Sequence, residues 1–375
     1  MFTFSDLLLD SYKNHPEKIS LTVLLAGHED TPITYRSLVE GAAAWTKTFE
    51  RVGVQPGEVI VLIMQHGLDL IFAYWGAILH GAVPSIMPFL TEKLQPERYR
   101  ADLTALVSIT RPECIVTYRE FEPEVRSALP VQSSVRNVIV SDEIEPITTF
   151  DLASFKGCSR NPQDVVLLQH SSGTTGLQKG VALSHQAVLN QLESYALALA
   201  INDQDVIVSW LPLYHDMGLI AGFLLPILKR IPLVLLSPFE WVRSPARLMQ
   251  AVTRYQGTLS WLPNFAYNFC AQKIRDRDLE GVDLSTWRAI SNCSEPMRQE
   301  SHQAFLERFA RYGLKESTLC TCYAMAENVF AVTQGGIHAP VLIDEIDRED
   351  LQSRKTAVPA NGDRPSVKMV SAGKP

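Results

Sequence analysis

The amino-acid sequence predicts an α/β fold in which two mostly parallel, helix-covered sheets pack together. Apolar runs of strand length alternate with amphipathic segments of helix length almost throughout the chain. The strand-length runs are continuously apolar, as expected for parallel strands that helices cover on both faces. The alternation recurs in both halves of the chain, which predicts one such sheet in each half.

Composition limits the classes of protein to which the chain can belong. Of its 375 residues, 46% are hydrophobic and 20% are charged, an ordinary globular profile. A net charge of -7 argues against a nucleic-acid-binding protein. Residues 1–18 contain acids and a proline, unlike a signal peptide. The most apolar stretch, residues 70–90, is interrupted by Pro84 and Pro88, so no membrane span is predicted.

The cysteines predict a reducing compartment. Six are scattered along the chain, and only Cys320 and Cys322 lie close together. A single C-x-C pair does not make a zinc site. We therefore expect reduced thiols and a cytoplasmic protein.

The first half of the chain begins with a helix predicted at residues 33–51, with Thr34 as its N-cap and Gly53 after its end. The elements predicted after it are a strand at 59–64, a helix at 68–79, and strands at 82–86 and 114–117.

The second half repeats the pattern, with a strand at 165–169 and a helix capped by Ser184. Four side chains of that helix share one apolar face, namely Val188, Leu192, Tyr195 and Leu199. Further buried strands are predicted at 206–210, 233–236, 259–262 and 287–291. Helices are expected to open at Pro245 and Pro296, because proline fits the first helical position.

Three parts of the chain follow from this order of elements. Residues 1–162 are predicted to form a first α/β subdomain and residues 163–336 a second one. Residues 337–375 form an acidic segment and the start of a third subdomain. The acidic stretch at 338–365 is either an insertion or a solvated surface excursion.

The clearest functional signal is the loop SSGTTGLQKG at positions 171–180, directly after a predicted strand. Glycine lets the backbone approach a phosphate closely, while hydroxyl groups and a lysine contact it. The residues predicted to bind phosphate are Ser171, Ser172, Gly173, Thr174, Thr175, Gly176 and Lys179.

This loop is not a Walker P-loop. Gln178 and Gly180 stand where that motif needs a glycine before its lysine and a serine or threonine after it, which excludes a Walker-type kinase. The alternative without a function is a glycine-rich hairpin turn between strands at 165–169 and 181–183, with Lys179 merely solvated.

Three further segments follow in chain order: WLPLYHDMGLI at 210–220, NCSEP at 292–296 and YAMAE at 323–327. Together with the loop, they resemble the signatures of the adenylate-forming superfamily. This superfamily includes acyl-CoA synthetases, nonribosomal peptide adenylation domains and firefly luciferase.

The resemblance implies that ATP and Mg²⁺ are the cofactors and that the loop grips the ATP phosphates. It implies catalytic roles for His215, Lys179 and Glu327, with Glu327 and Thr175 holding the metal. The residues implied at the adenine are Asn292, Ser294, Glu295, Pro296, Tyr323 and Ala324. Those implied at the carboxylic acid are Trp210, His215, Asp216, Met217 and Phe265.

Several of these side chains also have a purely structural interpretation. His215 and Tyr323 are each compatible with a place in the core. Glu327 follows an apolar run, where a buried carboxylate needs a metal or an arginine beside it. Four aromatic side chains either line an acyl channel or belong to the core, namely Trp210, Phe223, Phe265 and Phe269.

Within the superfamily, the chain resembles the fatty acyl-AMP ligases, which pass the acyl group to a carrier-protein thiol rather than to CoA. Residues 209–220, the PNFAY segment at 263–267 and Ala326 are similar to theirs, and the acidic stretch at 338–365 falls where they carry an insertion. The resemblance implies a long-chain fatty acid as substrate and an acyl carrier protein as partner.

The chain departs from the family pattern at a few positions. Ala324 replaces a glycine, Cys293 and Ser294 replace a Gly-Ala pair, and His170 replaces an aromatic residue or a threonine. The family's ribose-binding aspartate and its small C-terminal domain with a catalytic lysine are absent from the sequence, which resembles the large N-terminal part alone. The alternatives are an acyl-CoA synthetase and a module that binds nucleotide or acyl group without turnover.

Overall fold

Each of two units of the chain is built on a mostly parallel sheet. The structure is a computed structural model and describes residues 2–89, 95–147, 149–170, 180–362 and 364–375. Unit 1 comprises Met1–Leu192 and Pro212–Pro232, and unit 2 comprises Glu193–Leu211 and Leu233–Pro375.

Unit 1 contains the first eight strands. They are β1 (Ile19–Leu24), β2 (Thr31–Thr34), β3 (Val59–Leu62), β4 (Val83–Ile86), β5 (Cys114–Thr117), β6 (Asn137–Val140), β7 (Val165–His170) and β8 (Gly180–Ser184). The helices of the first half are α1 (Phe4–Asn14), α2 (Tyr35–Arg51), α3 (Leu68–His80), α4 (Pro96–Thr110) and α5 (Glu122–Ala128). Helix α6 (His185–Ala198) runs from unit 1 into unit 2, and α7 (Leu225–Lys229) returns to unit 1.

The sheet of unit 1 has the order β6-β5-β3-β4-β7-β8 and is parallel except for β8. On one face, Leu103 of α4 and Val125 of α5 pack with Val61 and Ile115 of the strands. Helix α3 packs against β3 and β4, and α2 packs on α3. The central strands β3, β4 and β5 are buried almost throughout, and apart from Ser85 and Thr117 their side chains are apolar.

Unit 2 contains the remaining elements. Its strands are β9 (Ile207–Ser209), β10 (Leu233–Leu236), β11 (Leu259–Leu262), β12 (Ala289–Asn292), β13 (Leu319–Ala324), β14 (Ala331–Gly335), β15 (Ile343–Asp347) and β16 (Ser366–Val370). Its helices are α8 (Pro238–Arg243), α9 (Ala246–Tyr255), α10 (Asn264–Lys273), α11 (Gln299–Phe309) and α12 (Arg348–Arg354).

Six strands of unit 2 lie side by side in the order β14-β13-β12-β11-β9-β10. Strands β9 to β13 are parallel, whereas β14 returns antiparallel to β13. The carboxyl ends of the parallel strands therefore meet at one edge, where sheets of this kind bind ligands. The prediction of two mostly parallel, helix-covered sheets is confirmed.

The acidic stretch after residue 338 is folded. Strands β15 and β16 form an antiparallel pair, and α12 lies between them in sequence. Most of its side chains are exposed, but Asp347 and Asp350 are buried, and Arg364 forms ion pairs with both. The acidic stretch is therefore largely exposed, as expected of a surface excursion, but it is folded around a small polar centre.

Two predicted boundaries differ from the structure. Strands β7 and β8 extend the sheet of unit 1, so this unit continues beyond residue 162. No helix opens at Pro296, since α11 begins at Gln299. The reason is that the backbone of Arg298 is extended and its N–H donates to Asn264 Oδ1 (3.0 Å). At Pro245 a helix does follow, and the proline itself is the N-cap of α9.

Two other expectations concern the whole chain. In the parts that the structure describes, no helix is both long and apolar enough to cross a lipid bilayer. None of the six cysteines forms a disulfide, and Cys158 alone among them is exposed.

Candidate functional site

Strands β7 and β8 hold the two ends of the predicted phosphate loop together. His170, the last residue of β7, pairs with Gly180, the first residue of β8. The predicted phosphate-binding residues themselves lie outside the described residues: Ser171, Ser172, Gly173, Thr174, Thr175, Gly176 and Lys179. A hairpin turn and a phosphate loop each require the end of β7 to lie beside the start of β8. The observed antiparallel pair is therefore compatible with both interpretations of residues 171–180.

Two buried polar side chains precede this loop. His170 Nε2 and Ser85 Oγ share a hydrogen bond of 2.6 Å, and burial lowers the pKa of His170 to about 4. Gln169 is 2% exposed, and neither atom of its amide has a hydrogen-bond partner in the described part of the protein. The sequence marked His170 only as a departure from the family pattern, and nothing in it pointed to Ser85.

His215, Asp216 and Met217 lie in unit 1, where a π-helix begins. This helix spans Met217–Leu224, and Asp216 Oδ1 accepts a hydrogen bond from the N–H of Met217 (2.7 Å). π-Helical turns are rare and are frequent at functional sites. The ring of His215 is exposed, so a place in the core is excluded, yet the chain packed around it lowers its pKa by desolvation.

Phe223, on the same π-helix, is a core residue. It is 0% exposed and lies against Tyr74 and Trp75, with ring centroids 5.8 and 6.2 Å away. Of the two interpretations of this phenylalanine, the structure therefore supports the core.

Unit 2 brings four aromatic side chains together at the carboxyl ends of its strands. We call this group the aromatic cluster: Trp210, Trp241, Phe265 and Phe269. Trp210 stacks on Trp241 with centroids 3.5 Å apart and planes 9° apart. Phe265 stands edge-on to both and is 47% exposed. Trp241 belongs to none of the quoted signatures, so sequence reasoning missed it.

Asn292 is buried, whereas contact with the adenine, as predicted from the sequence, requires an accessible side chain. It is 0% exposed, and its Nδ2 donates to Asn264 Oδ1 (3.1 Å) and lies 2.9 Å from His302 Nε2. Its Oδ1 is also buried and has no partner among the described residues. Asn264 Nδ2 donates in turn to Ser301 Oγ (3.1 Å). Asn292 thus joins β12 to α10 and α11 and is not exposed for a ligand in this structure.

The residues after Asn292 turn outward. Ser294 has a left-handed backbone with a φ of 72°, and both Ser294 and Pro296 are exposed. Glu295 Oε2 accepts a hydrogen bond from the N–H of Phe265 (3.3 Å), which ties this segment to the aromatic cluster.

Tyr323 lies near the end of β13, and Glu327 lies in the tight turn that follows this strand. Tyr323 is 49% exposed, so its alternative place in the core is excluded, and Ala324 is the last residue of the strand. Glu327 is exposed on a short 3₁₀ turn, Ala326–Asn328, and none of the described cations pairs with it. The expectation that this carboxylate is buried and needs compensation was wrong, because the apolar run ends one residue earlier, at Ala326.

An unusual backbone conformation closes this turn. Val329 has φ 68° and ψ −55°, and the N–H of Phe330 donates to the carbonyl of Asn328 (2.8 Å). This is a classic γ-turn, which is rare and strained. The N–H of Met325 donates to the carbonyl of Phe330 (2.8 Å), so the loop is bound to itself.

A metal site is not preformed by clustered ligands in the described residues, where no group of three His, Cys, Asp or Glu side chains converges. An exposed carboxylate that no described residue pairs with nevertheless fits Mg²⁺, which prefers a few carboxylate oxygens together with phosphate and water. Glu327 meets that requirement, and Thr175 lies outside the described residues.

A comparison with protein families decides the identity of the fold. The model of the family "AMP-binding enzyme" matches residues 8–367. The chain belongs to the AMP-binding enzyme family.

The relatives confirm the resemblance to fatty acyl-AMP ligases. JamA, a medium-chain fatty acid–acyl-carrier-protein ligase of Moorena producens, is 28% identical over 100% of this chain and 63% of its own length. A 4-hydroxyphenylalkanoate adenylyltransferase of Mycobacterium marinum is 29% identical over 84% of this chain and 51% of its own length. The chain thus spans less than two thirds of these relatives.

Solved structures agree with this result. The crystal structure of a fatty acid AMP ligase from Legionella pneumophila superimposes with a TM-score of 0.87 and 28% identity, over 99% of this chain and 63% of that one. An adenylation domain of a keto acid-selecting NRPS module has a TM-score of 0.85 at 20% identity, a likeness that concerns the fold alone.

Proposed function

We propose that this chain takes part in activating a fatty carboxylic acid with ATP, giving an acyl-adenylate and pyrophosphate. The acyl group is then passed to the thiol of a carrier protein. The observation that carries the proposal is the end of β13 and the turn after it, where Tyr323 and Glu327 are both exposed and no side chain in the described part of the chain pairs with either. The family membership of the chain supports the same chemistry.

In the proposed reaction, a carboxylate oxygen of the acid attacks the α-phosphorus of ATP in line. The bond from the α-phosphorus to the bridging oxygen breaks, and its electron pair leaves with pyrophosphate. No proton has to move in this step, so the protein acts by positioning and by neutralising charge. Mg²⁺, when bound, shields the phosphate charges.

The residues of the loop and of the turn after β13 are each proposed to have a separate part. Thr174, Thr175 and Lys179 are proposed to hold the departing phosphates, and Glu327 to hold the metal. The exposed ring of Tyr323 offers a face for the adenine. The remaining adenine residues are proposed to be Ser294, Glu295, Pro296 and Ala324, with Asn292 supporting them from the core.

The acid is proposed to meet residues of two segments. His215 is neutral near pH 7, because desolvation lowers its pKa, and a neutral imidazole borders the substrate carboxylate as an N–H donor. Asp216 and Met217 form the start of the π-helix that directly follows His215. Trp210 and Phe265 supply apolar surface for the tail.

A carrier protein is proposed as the acceptor because JamA, whose match covers this whole chain, is named for that transfer. A cytoplasmic location is proposed because five of the six cysteines are buried thiols and none forms a disulfide, as expected in a reducing compartment.

The test is mass spectrometry of the chain incubated with ATP, magnesium and fatty acids of graded length, with and without CoA. Acyl-AMP that accumulates, without acyl-CoA when CoA is present, is the expected result. Acyl-CoA as the product would instead identify an acyl-CoA synthetase.

The absence of adenylate with every acid would contradict the proposal for this chain. Repeating the assay with the C-terminal part of a relative such as JamA then separates two cases. Recovered adenylate shows that the chemistry needs that part, and continued inactivity shows a module that binds without turnover.

A further inference from the structure

A chain of hydrogen bonds links the end of β12 to helices α10 and α11. The N–H of Arg298 donates to the side chain of Asn264 (3.0 Å). A backbone N–H can only donate, so the atom of Asn264 that it meets must be the amide oxygen, Oδ1. Asn292 contacts this same oxygen at 3.1 Å, so its own atom there must be the Nδ2 donor. One backbone group thus fixes the orientation of both amides.

The Nδ2 group of Asn292 also determines which form His302 takes. His302 Nε2 lies 2.9 Å from this nitrogen, which has a second hydrogen to donate. The ring nitrogen must therefore accept, and the proton of the neutral ring must lie on Nδ1. Desolvation lowers the pKa of His302 to about 4, so the ring is neutral near pH 7. Tyr267 packs against this ring, with the two centroids 5.0 Å apart.

The other tautomer of His302 would break this arrangement. A proton on Nε2 would point at the N–H of Asn292, and a rotated Asn292 amide would set its oxygen against Asn264 Oδ1. All three side chains are buried. The loss of a partner is therefore not compensated by bulk water, and each unpaired group destabilises the arrangement.

The hydrogen bonds hold both ends of a segment that reaches the surface. Asn292 precedes residues 293–297 and Arg298 follows them. Within this segment Ser294 and Pro296 are exposed, and Ser294 has the left-handed φ of 72°. A conformation of this kind persists only where the surrounding structure holds it. The contacts of Asn292 and Arg298 therefore keep the proposed adenine residues of this segment in one arrangement.

We propose that His302 is a positioning residue for the nucleotide: as the neutral Nδ1–H tautomer it accepts from Asn292 and keeps residues 293–297 in the arrangement that binds adenine. This inference rests on the proposed function, and it concerns a side chain outside every signature of the sequence. Once the Asn292 amide can rotate, the segment occupies the binding arrangement for only part of the time. The apparent affinity for the nucleotide falls by that fraction.

Two-bond proton–nitrogen correlation spectra of the histidine rings, assigned with the variants below, test the tautomer. We expect Nδ1 of His302 to carry the proton near pH 7. His80 is the reference, because its Nε2 lies 2.8 Å from the carbonyl oxygen of Val54, which can only accept. The two histidines should therefore show opposite tautomers. A His302 ring that is protonated on Nε2 overturns the proposal.

Equilibrium binding of ATP in the presence of magnesium tests the role of His302 at the site. His302→Phe keeps a ring beside Tyr267 and removes the acceptor, so the affinity should fall by about fivefold, the shift that one net hydrogen bond supplies. His302→Gln offers a side-chain oxygen to Asn292 and should restore most of the affinity. If His302→Phe does not fold, as judged by its thermal unfolding, His302→Leu also lacks the acceptor and should show the same direction of change.

His80→Phe is the matched control. His80 is 1% exposed and His302 is 5% exposed, so each variant replaces a buried, hydrogen-bonded imidazole with the same ring. Both variants should be less stable than the parent chain, but only His302→Phe should bind ATP more weakly.

The outcomes separate this inference from the proposed function. A folded His302→Phe or His302→Leu variant that binds ATP as the parent chain does overturns the role of His302 and leaves acid activation standing. So does an equal loss of affinity in His80→Phe, since general destabilisation would then explain both. If the parent chain binds no ATP, the proposed function fails, and the inference fails with it.

Discussion

Val329 adopts a backbone conformation that β-branched residues rarely occupy. Its φ of 68° brings Cβ close to the backbone, which costs roughly 1–3 kcal/mol. The side chain is 6% exposed, so burial offsets part of this cost. Strain that persists in this way is concentrated at functional sites. Here it lies two residues from Glu327, in the loop that holds this carboxylate outward.

We expect Val329→Gly to be more stable than Val329→Ala by about 1 kcal/mol. Both variants lose the buried side chain, but only glycine removes the strain, and this gain exceeds its entropic cost of about 0.5–1 kcal/mol. Urea unfolding of the two variants measures the difference. At Val252, buried inside helix α9, the order should reverse, since glycine there is worse than alanine. If the glycine variant is less stable than the alanine variant at Val329 as well as at Val252, the backbone of Val329 is not strained.

Glu327 is expected to hold the metal with its charge. Glu327→Gln keeps the shape of the side chain and removes the charge, so binding of ATP in the presence of magnesium should weaken by roughly 1.5–3 kcal/mol, or about tenfold to a hundredfold. Equilibrium binding with and without magnesium measures this change. Glu316→Gln, an exposed glutamate on another short 3₁₀ turn of unit 2, is the matched control. Equal binding by both variants would remove Glu327 from the site.

Single residues show which properties of the site could be predicted from the sequence and which could not. The signatures indicated the family to which the chain belongs, but not the surroundings of Glu327, Asn292 or His215. Solvent exposure depends on which neighbours the fold supplies. Glu327 is exposed because the chain turns at Ala326, and Asn292 is buried because α10 and α11 cover it. Neither fact has a signal in the local sequence, and the strain at Val329 has none either.

At the scale of elements, a polar network joins three segments of unit 2. Asn264 Oδ1 accepts hydrogen bonds from Asn292 Nδ2 (3.1 Å) and from the N–H of Arg298 (3.0 Å). Its Nδ2 donates to Ser301 Oγ. This one side chain therefore fixes the segment between β12 and α11, which includes Ser294 and Glu295, relative to α10. It also explains why helix α11 starts late.

Asn264→Leu should destabilise unit 2 by roughly 2–3 kcal/mol, because it leaves buried polar groups without partners. Asn268→Leu, one turn further along α10, breaks one contact to Ser301 Oγ (2.9 Å) at a half-buried position and should cost less than about 1 kcal/mol. Chemical unfolding of both variants tests this, with near-ultraviolet circular dichroism to detect altered packing around the tryptophans. Equal costs for the two variants would refute a central role of Asn264.

Most strands and helices were predictable because continuous apolar runs and helix caps are local signals. The Thr34 cap shows this directly, since its Oγ1 accepts the N–H of Ser37 (3.1 Å) at the start of α2. The helix predicted at Pro296 was wrong because the competing hydrogen bond comes from Asn264, far away in the sequence. Local patterns thus identified elements well and failed where a distant side chain sets the end of one.

For the whole molecule, the predicted fold class is confirmed, whereas the division of the chain is more complex than a sequential one. The segment Pro212–Pro232 belongs to unit 1 although unit 2 flanks it on both sides. Tyr35 Oη donates to the carbonyl of Ile227 (2.7 Å), and Phe223 lies against Trp75, so long-range contacts fix this segment in unit 1. The sequence could not predict this discontinuous unit, because the apolar pattern of Pro212–Pro232 is compatible with the core of unit 1 and with the core of unit 2.

Four histidines predict how the stability of the molecule depends on pH. Desolvation is the principal cause that lowers the pKa of His66, His170, His185 and His302 to about 4 each. In the unfolded chain they titrate near 6.5. Below that value the unfolded state binds more protons than the folded state, so stability falls as the pH falls from about 6.5 towards about 4. Above about 6.5 this contribution is fully present.

The loss should differ between the two units, since three of these histidines lie in unit 1 and only His302 lies in unit 2. Each histidine contributes about 1.4 kcal/mol per pH unit inside the window, as an upper bound. Desolvation alone would raise the pKa of Asp205, but the contacts with Arg288, Asn202 and Thr258 outweigh it and lower this pKa below its ordinary value, so this group acts only at lower pH. Hydrogen exchange of amides in β4 and β12, measured from about pH 7 to about pH 5 and corrected for intrinsic rates, should show a steeper loss of protection in β4. Equal slopes in the two strands would mean that these histidines titrate normally in the folded protein.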